Sequence, residues 1–395
     1  MSNSNREVVL VSGVRTPIGD YGGSLAGVSS AELATLAVKG AMEQGKVDPN
    51  DVDQVIIGNV VHSAQHDMYI SRVAAINAGI PQETPAYTLN RLCGSGMQSI
   101  VNAAQCIMLG DADVAVAGGV ESMSNSQYWL PGMRWGQRMM DGKVIDAMVA
   151  ALNDPFDRVH MGLTAEAVAK KYDISREDQD ALAVESHQRA AKAAEAGLFK
   201  SQMVPVVVKQ RKKETTVDYD EHVRGDATVE GMGKLRPAFD KEGSVTAGNA
   251  SGINDAAAAV VLMAAEVAEA KGLKPMARLK AYSHSGVDPK IMGIGPIPAC
   301  EKIFAQTGLN KDDMDVIELN EAFAAQALAC VRGLKMESNN VNPNGSGISL
   351  GHPIGATGAI LVVKAMHELQ RIDGKYALNS MCIGGGQGIA TMLER

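Results

Sequence analysis

DMDVIELNEAF, at residues 313–323, repeats the pattern of DVDQVIIGNVV at residues 51–61, and Asn320 stands at the place of Asn59. Both stretches contain a short, almost continuous apolar run, which is typical of a strand buried on both faces. A pattern that recurs so far along a chain indicates a duplicated structural unit. We therefore predict two similar halves, each built around such a strand.

The segments that follow these strands keep the same order in both halves. A glycine-rich turn leads into an apolar-periodic helix at 93–109, and another does so at 351–369. A strand that runs into glycines follows each helix, as DVAVAGGVES at 113–122 and as KYALNSMCIGGG at 375–386. Strands that alternate with helices indicate a parallel or mixed sheet with helices on its faces. The predicted fold class is therefore α/β, with duplicated βαβαβ halves.

The stretch between the two repeats differs from both, since it holds both tryptophans and many of the methionines. We predict that residues 123–252 form an inserted loop domain carried on the duplicated core. The N-terminal half then comprises residues 1–122 together with 253–274. The C-terminal half comprises residues 275–395.

Composition and charge argue against several classes of function. A net charge of −8 disfavours nucleic-acid binding, because phosphate contacts need a basic face. The N-terminal sequence MSNSNREVVLVSG lacks the apolar stretch of a signal peptide, and the longest apolar run, 256–265, is too short to span a membrane. The cysteines are odd in number and include no C-x-x-C pair, so we expect free thiols in the reducing cytoplasm.

The cysteine of LCGSG (92–96) precedes a predicted helix and is the first candidate for a reactive group. Unpaired N–H groups and the helix dipole lower the pKa of a thiol at that position, and Gly94 and Gly96 would let a substrate approach the backbone. His352, in LGHPIGATGA (350–359), stands at the corresponding helix entrance of the second half. Both residues could instead be structural, Cys93 filling a tight corner and His352 bonding to the backbone.

Two further candidates lie in the second half. Cys382 precedes a run of three glycines whose backbone N–H groups could form an oxyanion cradle. Asn320 ends a strand and can hold a water molecule or a carbonyl group. The structural alternatives are a buried cysteine beside a turn and a polar cap at the end of a strand.

Other chemistries have weaker support in the sequence. No Walker A loop and no H-E-x-x-H motif occurs, so we predict no metal site. GISLG (347–351) matches the nucleophile elbow of serine hydrolases at Ser349, but turn-forming residues precede it where an elbow needs a strand. A serine hydrolase is therefore kept as a rival interpretation.

Five segments, NRLCGSG, TAGNASGIND, NEAFAAQ, GHPIGATGA and CIGGGQG, together resemble the thiolase family, and the resemblance covers essentially the whole chain. It implies a five-layer αβαβα core and an acyl-CoA C-acetyltransferase. Such an enzyme catalyses the reversible Claisen condensation of acetyl-CoA with acetyl-CoA or a longer acyl-CoA. Coenzyme A and acetyl-CoA are expected as substrates, with no permanently bound cofactor.

The resemblance also assigns catalytic roles. It implies that Cys93 is acylated, that His352 activates its thiol, and that Cys382 removes the α-proton of acetyl-CoA. Asn320 is expected to hold a water molecule in an oxyanion hole shared with His352. The backbone N–H groups of Cys93 and Gly384 are expected to form a second oxyanion hole. Two thiols, one imidazole and two oxyanion holes suffice for carbon–carbon bond formation between thioesters.

Residues expected to bind coenzyme A lie in the insertion and in the C-terminal half. By resemblance, Arg224 contacts the adenine end, Ser251 contacts the pantetheine, and Phe323 and Met292 line the acyl end, although both could be ordinary core residues. The remaining members of the set are His160, Met161, Gly248 and Leu152. The basic cluster KQRKK (209–213) could add positive charge or form a plain solvated face.

Two features bear on assembly and specificity. YWLPGMRWGQRMM (128–140) resembles the family's tetramerisation loop, which implies a homotetramer built as a dimer of dimers. NVNPNGSGISLGHP (340–353) is similar to broad-specificity β-ketothiolases of polyhydroxyalkanoate-producing organisms and to degradative 3-ketoacyl-CoA thiolases. Chain-length preference and reaction direction are therefore left open. A non-catalytic, thiolase-like binding protein is the third alternative.

Overall fold

The computed structural model describes residues 6–210, 213–336 and 339–395. The first half and the start of the insertion contain the following elements: β1 (Val8–Arg15), β2 (Gly19–Asp20), α1 (Ser30–Gly45), β3 (Gln54–Gly58), α2 (Ile70–Asn77), β4 (Ala86–Leu89), α3 (Ser95–Leu109), β5 (Val114–Ser122), β6 (Tyr128–Trp129), β7 (Ile145–Asp146) and α4 (Ala147–Ala151).

The rest of the chain contains α5 (Met161–Lys171), α6 (Arg176–Glu195), β8 (Val206–Gln210), β9 (Lys213–Val217), α7 (Val229–Gly233), β10 (Asn254–Ala264), α8 (Ala265–Ala270), β11 (Ala277–Gly286), α9 (Pro296–Thr307), β12 (Val316–Leu319), α10 (Ala324–Gly333), α11 (Gly347–Leu350), α12 (Thr357–Ile372), β13 (Tyr376–Ile383) and β14 (Gln387–Glu394).

The main strands form one mixed sheet in the order β4-β3-β5-β10-β1-β11-β14-β13-β12. The pairs β3–β4, β3–β5 and β12–β13 are parallel, whereas β10 is antiparallel to β1 and β5. The two halves meet where Val9 pairs with Arg278 and Leu10 pairs with Ala277. This confirms the mixed α/β sheet. The short link between β1 and β11 makes the two predicted half-sheets continuous.

Helices cover the sheet in the order expected for five layers. Helices α1 and α2 pack on the outer face of the first half, and α9 packs on the outer face of the second. Helices α3 and α12 lie between the two half-sheets and share one apolar core with strands from both. The αβαβα arrangement is therefore confirmed, and it places the beginnings of α3 and α12 side by side at the centre.

Local sequence signals explain where several helices begin and end. Ser29 caps α1 in a reciprocal capping box with Glu32, and Ser175 caps α6. Gly110 closes α3 with a φ of 82°, a conformation that glycine adopts without strain. Helix α12 begins only at Thr357, because the preceding GHPIGA segment forms a loop.

Some sequence predictions concern residues outside the described ranges. Arg211 and Lys212 of the KQRKK cluster are among them, as are the first five residues of the N-terminal sequence. Within the described residues, no helix combines the length and apolarity needed to cross a membrane.

Candidate active site

Cys93 lies just before α3, in a turn that is locked by its own side chains. Asn90 Oδ1 accepts the Leu92 N–H at 2.9 Å, and Ser95 Oγ accepts the Arg91 N–H at 2.8 Å. Leu92 has a φ of 46°, which is unusual for a residue with a side chain. Such backbone strain is typical of functional sites, and here it fixes the direction of the next residue, Cys93.

The Cys93 thiol is buried and receives the backbone N–H groups of Gly384 and of Cys93 itself. Burial nevertheless raises the pKa of the Cys93 thiol to about 11. The predicted lowering of this pKa by the helix terminus is therefore wrong. Desolvation outweighs the two N–H groups, and the nearby Glu121 carboxylate also disfavours a thiolate.

Gly94 and Gly96 lie where segments of the two halves come very close together. A Cβ on Gly94 would lie 2.5 Å from Ile383 Cδ1, and a Cβ on Gly96 would lie 2.8 Å from Ala359 N. Gly358 on α12 meets Met97 in the same way, since a Cβ there would lie 2.4 Å from Met97 N. These glycines let the two halves approach closely, and the admission of a substrate at Gly94 and Gly96 stays a prediction.

His352 is buried in the loop that precedes α12, and its ring is fixed from one side. Its Nδ1 lies 2.7 Å from Thr357 Oγ1, and the Thr357 hydroxyl donates to the Pro353 carbonyl oxygen at 2.9 Å. The hydroxyl proton is thus committed, so Thr357 Oγ1 accepts the Nδ1–H and Nε2 keeps its lone pair. Burial lowers the pKa of His352 to about 4, which leaves the imidazole neutral at pH 7.

Asn320 follows β12 and faces His352. Its Nδ2 lies 3.4 Å from His352 Nε2, and its backbone N–H donates to the Ser380 carbonyl oxygen. Its side-chain oxygen Oδ1 is buried and has no protein partner among the described residues. A buried polar atom without a partner indicates a position for water or substrate.

Cys382, at the end of β13, is buried beside Cys93. Burial raises the pKa of the Cys382 thiol well above its usual value, and the proximity of Cys93 raises it further. The side chain belongs to a small apolar cluster that also contains Met161, Met292 and Phe323. Cys93, Cys382 and Gly384 are thus brought together. His352 and Asn320 form a second pair, and Phe323 connects the two groups because it packs with Cys382 and lines the same cavity as His352.

Glu121 is a residue of this site that the sequence analysis missed. This buried carboxylate ends β5 and accepts N–H groups from Val60, Val61 and Gly355, at 2.9–3.1 Å, and from the Asn59 side chain. It therefore ties the first half to the loop that carries His352. Burial raises the pKa of Glu121 to about 8. A glutamate inside the otherwise apolar strand DVAVAGGVES was the signal that could have revealed it.

A cavity of about 510 Å³, here named the His352 cavity, opens beside this centre. Four of the residues predicted to bind coenzyme A line it together with His352: Leu152, His160, Ser251 and Phe323. His160 stacks on Phe239, with the ring centroids 4.5 Å apart. The volume is of the size that small-molecule sites have.

The other four predicted binding residues lie elsewhere. The backbone N–H of Arg224 donates to His187 Nδ1, and Arg224 acts electrostatically on Asp20, which lines the His352 cavity. Met292 is buried in the cluster around Cys382, and Met161 lines a second cavity. Gly248 does not line the His352 cavity, because it packs against Met232 and Leu235.

Ser349 is not placed as a nucleophile. It lies buried in the short helix α11, and its hydroxyl lies 2.8 Å from Ser186 Oγ and donates to the Ser346 carbonyl oxygen. The serine-hydrolase alternative therefore lacks the exposed strand-to-helix turn that it requires.

Comparison with known families and proteins gives a consistent result. The family described as "Thiolase, N-terminal domain" matches residues 8–266, and "Thiolase, C-terminal domain" matches residues 273–395. The chain is 61% identical to beta-ketothiolase BktB of Cupriavidus necator over 99% of both chains. It is 49% identical to an acetyl-CoA acetyltransferase of Chromobacterium violaceum over 98% of this chain and 100% of the relative.

Solved structures resemble the fold over its full length. The acetyl-CoA acetyltransferase of Bacillus anthracis superposes with a TM-score of 0.98, at 48% identity and with complete coverage of both chains. Human mitochondrial 3-ketoacyl-CoA thiolase in complex with CoA superposes with a TM-score of 0.96, at 45% identity and 98% coverage of each chain.

Proposed function

Because this chain belongs to the thiolase family, we propose that Cys93 is its acylated nucleophile and Cys382 the base that removes the α-proton of acetyl-CoA. The chain is an acyl-CoA C-acetyltransferase that runs the reversible condensation of acetyl-CoA with an acyl-CoA. One observation carries the assignment of residues. The Cys93 sulfur, which the Gly384 N–H reaches, lies close enough to the Cys382 thiol to raise its pKa.

In the first half-reaction, His352 Nε2 takes the Cys93 thiol proton as the sulfur attacks the thioester carbonyl of an acyl-CoA. The N–H groups of Cys93 and Gly384 hold the resulting oxyanion. The tetrahedral intermediate collapses, the carbon–sulfur bond to coenzyme A breaks, and the departing thiolate takes the proton of the Cys382 thiol, which becomes a thiolate. His352 keeps its new proton on Nε2. An acyl group is then bonded to Cys93.

In the second half-reaction, the Cys382 thiolate removes a methyl proton from acetyl-CoA. His352 and a water molecule on Asn320 hold the enolate oxygen, and the orphaned Asn320 Oδ1 supports such a water site. The enolate carbon attacks the acyl carbon on Cys93, and the carbon–sulfur bond to Cys93 breaks. The Cys93 sulfur takes the proton back from His352 Nε2, and a 3-ketoacyl-CoA is released. Cys93 and Cys382 are then thiols and His352 is neutral, as at the start of the cycle.

The resting protonation states suit this sequence of proton transfers. The Cys93 thiol is protonated at pH 7 and His352 is neutral, because burial disfavours the charged form of both groups. Attack and proton transfer are therefore coupled, and the imidazole is available as a base rather than already charged. The tautomer fixed by Thr357 directs the Nε2 lone pair into the site.

We propose that coenzyme A binds along the His352 cavity, with Ser251 at the pantetheine and Arg224 at the adenine end. Leu152, His160, Met292 and Phe323 would border the thioester and the short acyl group. Gly248 would contribute only indirectly, because its lack of a side chain lets Met232 pack against it. Asp20 and His222, whose side chains lie 2.5 Å apart, also line this cavity, and the effect of Arg224 on Asp20 supports placing the adenine end on their side.

The identity of 61% with a protein named beta-ketothiolase supports substrates beyond the four-carbon product. The relative named 3-ketoacyl-CoA thiolase supports the degradative direction as the alternative. Both directions use the same residues, so metabolite levels decide between them.

The domain division, assembly and location that the sequence predicts are kept as proposals. Exposed aromatic and methionine side chains between residues 128 and 140 support a homotetramer, because large apolar groups on a surface favour association. Five free cysteines support a cytoplasmic location. An inserted domain at 123–252 agrees with the small β6–β7 and β8–β9 sheets, which stand apart from the main sheet.

The assignment of Cys382 is tested by thiolysis of acetoacetyl-CoA with Cys382→Ser and with Cys106→Ser. Cys106 is a half-buried cysteine on α3 and serves as the matched control. We expect Cys382→Ser to lose about 10²- to 10⁴-fold in kcat, as general base catalysis contributes that much, while Cys106→Ser stays within about twofold of wild type. A Cys382→Ser variant with wild-type turnover would remove Cys382 from the mechanism.

A further inference from the structure

A second cavity, here named the tail cavity, opens on another side of the catalytic centre. Its volume is about 590 Å³, and its lining includes Val61, Leu92, Trp129, Ala151, Met161 and Gly384. Two of these residues connect it to the reaction: Leu92 precedes Cys93, and the Gly384 N–H contacts the Cys93 sulfur. The cavity therefore starts at the group that would hold the thioester carbonyl.

The chemistry of the lining differs from that of the His352 cavity. No aspartate, glutamate, lysine or arginine is found among the described residues that line the tail cavity, and most of the lining side chains are apolar. The polar ones are His62, Gln65, Asn90, Gln127 and Asn153. The phosphates of coenzyme A would find no cation there. An uncharged hydrocarbon chain, in contrast, would gain by leaving water for this surface.

Met161 separates the tail cavity from the apolar cluster around Cys382. A Cβ on Gly384 would lie 2.2 Å from Met161 Cε, so the methionine already touches the Gly384 backbone. Met161 also packs in the cluster with Met292 and Phe323. Methionine is unbranched and changes rotamer readily, so it can yield to a longer chain that leaves the centre on this side.

We propose that the tail cavity holds the hydrocarbon tail of straight-chain acyl groups bonded to Cys93, and that it allows the enzyme to accept substrates longer than acetoacetyl-CoA. This inference rests on the proposed acylation of Cys93 and deepens it. Trp129 and Met68, which line the cavity, are exposed in the single chain, so the cavity is not closed by this chain alone. Ala150 and Ala151 on α4 form its floor.

The test fills the floor of the tail cavity and measures chain-length preference. Ala151→Phe and Ala150→Phe each place a ring in the cavity. Val149→Phe is the matched control, since Val149 lies on the same helix, is exposed and does not line the cavity. The measured quantity is kcat/KM for thiolysis of 3-ketohexanoyl-CoA divided by that for acetoacetyl-CoA.

One methylene group in an apolar pocket changes kcat/KM by about 10- to 200-fold. We therefore expect the ratio to fall at least about tenfold in Ala151→Phe and Ala150→Phe and to stay near wild type in Val149→Phe. Activity on acetoacetyl-CoA shows that a variant is folded. If Ala151→Phe does not fold, Ala150→Phe provides the test.

Two results would overturn the proposal. One is an unchanged ratio in a filled variant that still turns over acetoacetyl-CoA, which would place the tail elsewhere. The other is a wild-type enzyme that acts on acetoacetyl-CoA and not on 3-ketohexanoyl-CoA. An enzyme inactive on both substrates would instead refute the proposed function, and with it the acyl group that the tail cavity needs.

Discussion

Replacement of Thr357 by valine should disable His352 without altering the shape of the site. The Thr357 hydroxyl is the partner that accepts the His352 Nδ1–H at 2.7 Å, and it donates its own proton to the Pro353 carbonyl oxygen at 2.9 Å. Valine has nearly the same volume but offers neither bond. The imidazole would keep its place and lose the contact that fixes its tautomer.

The expected magnitude follows from the unpaired N–H. Leaving a buried donor without a partner costs about 1–3 kcal/mol. The ring can avoid that cost by moving its proton to Nε2, where it faces Asn320 at 3.4 Å, but it then has no lone pair with which to accept the Cys93 proton. At about 1.36 kcal/mol per factor of ten, kcat/KM should fall by about 5- to 150-fold.

The assay is steady-state thiolysis of acetoacetyl-CoA by wild type, Thr357→Val and Thr357→Ser, with thermal unfolding of each. Thr391→Val is the matched control, since Thr391 is also buried but lies on β14 with only a 3.3 Å contact from Asn379. We expect Thr357→Ser and Thr391→Val to stay within about threefold of wild type in kcat/KM. A folded Thr357→Val enzyme with wild-type kcat/KM would refute the role assigned to the Thr357 hydroxyl.

Three further predictions concern buried charges and close contacts. Between about pH 4.5 and pH 8, Glu121 is protonated in the folded state and ionised in the unfolded state, because its pKa is raised on folding. The free energy of unfolding therefore falls as the pH rises through that window. Urea unfolding should therefore show Glu121→Gln gaining stability relative to wild type between pH 5 and pH 8.5, and a pH-independent difference would contradict this. Gly384→Ala should lower kcat about 10²- to 10³-fold in the thiolysis assay, because the new Cβ meets Met161 and displaces an oxyanion donor. Adding Met161→Ala should restore part of the lost kcat. A double variant with no higher kcat would show that the contact with Met161 does not cause the loss. Lys364→Met breaks the buried ion pair with Glu318, whose N–O distance is 2.6 Å, and should lower the free energy of unfolding in urea by about 3–5 kcal/mol. The double variant with Glu318→Gln should recover most of that free energy. If the two substitutions instead destabilise the protein additively, the ion pair does not stabilise it.

The duplicated fold could be predicted from sequence because apolar runs, glycine-rich turns and helix caps are local signals. DVDQVIIGNVV and DMDVIELNEAF each became a strand, and Ser29 and Gly110 marked helix ends as expected. The pairing of β1 with β11 could not be predicted, because it joins residues far apart in the chain through only two pairs.

The sequence identified most residues of the candidate site but did not predict their pKa values correctly. Cys93, His352 and Cys382 were found because each stands beside a glycine-rich turn. The pKa of Cys93 was wrongly predicted, since the helix terminus is a local feature whereas burial depends on how the other half packs. Glu121 and Thr357 were missed for the same reason. Their partners, Gly355 and the His352 ring, are identified only when the chain is folded.

In the proposed mechanism, Cys93 carries the acyl group and Cys382 does not. Intact-protein mass spectrometry after mixing with acetyl-CoA, followed by peptide mapping, tests this for wild type, Cys93→Ser and Cys382→Ser. We expect an acetyl adduct on the peptide that contains Cys93 in wild type and in Cys382→Ser, and none in Cys93→Ser. An adduct that persists in Cys93→Ser, or one that maps to Cys382 in wild type, would contradict it.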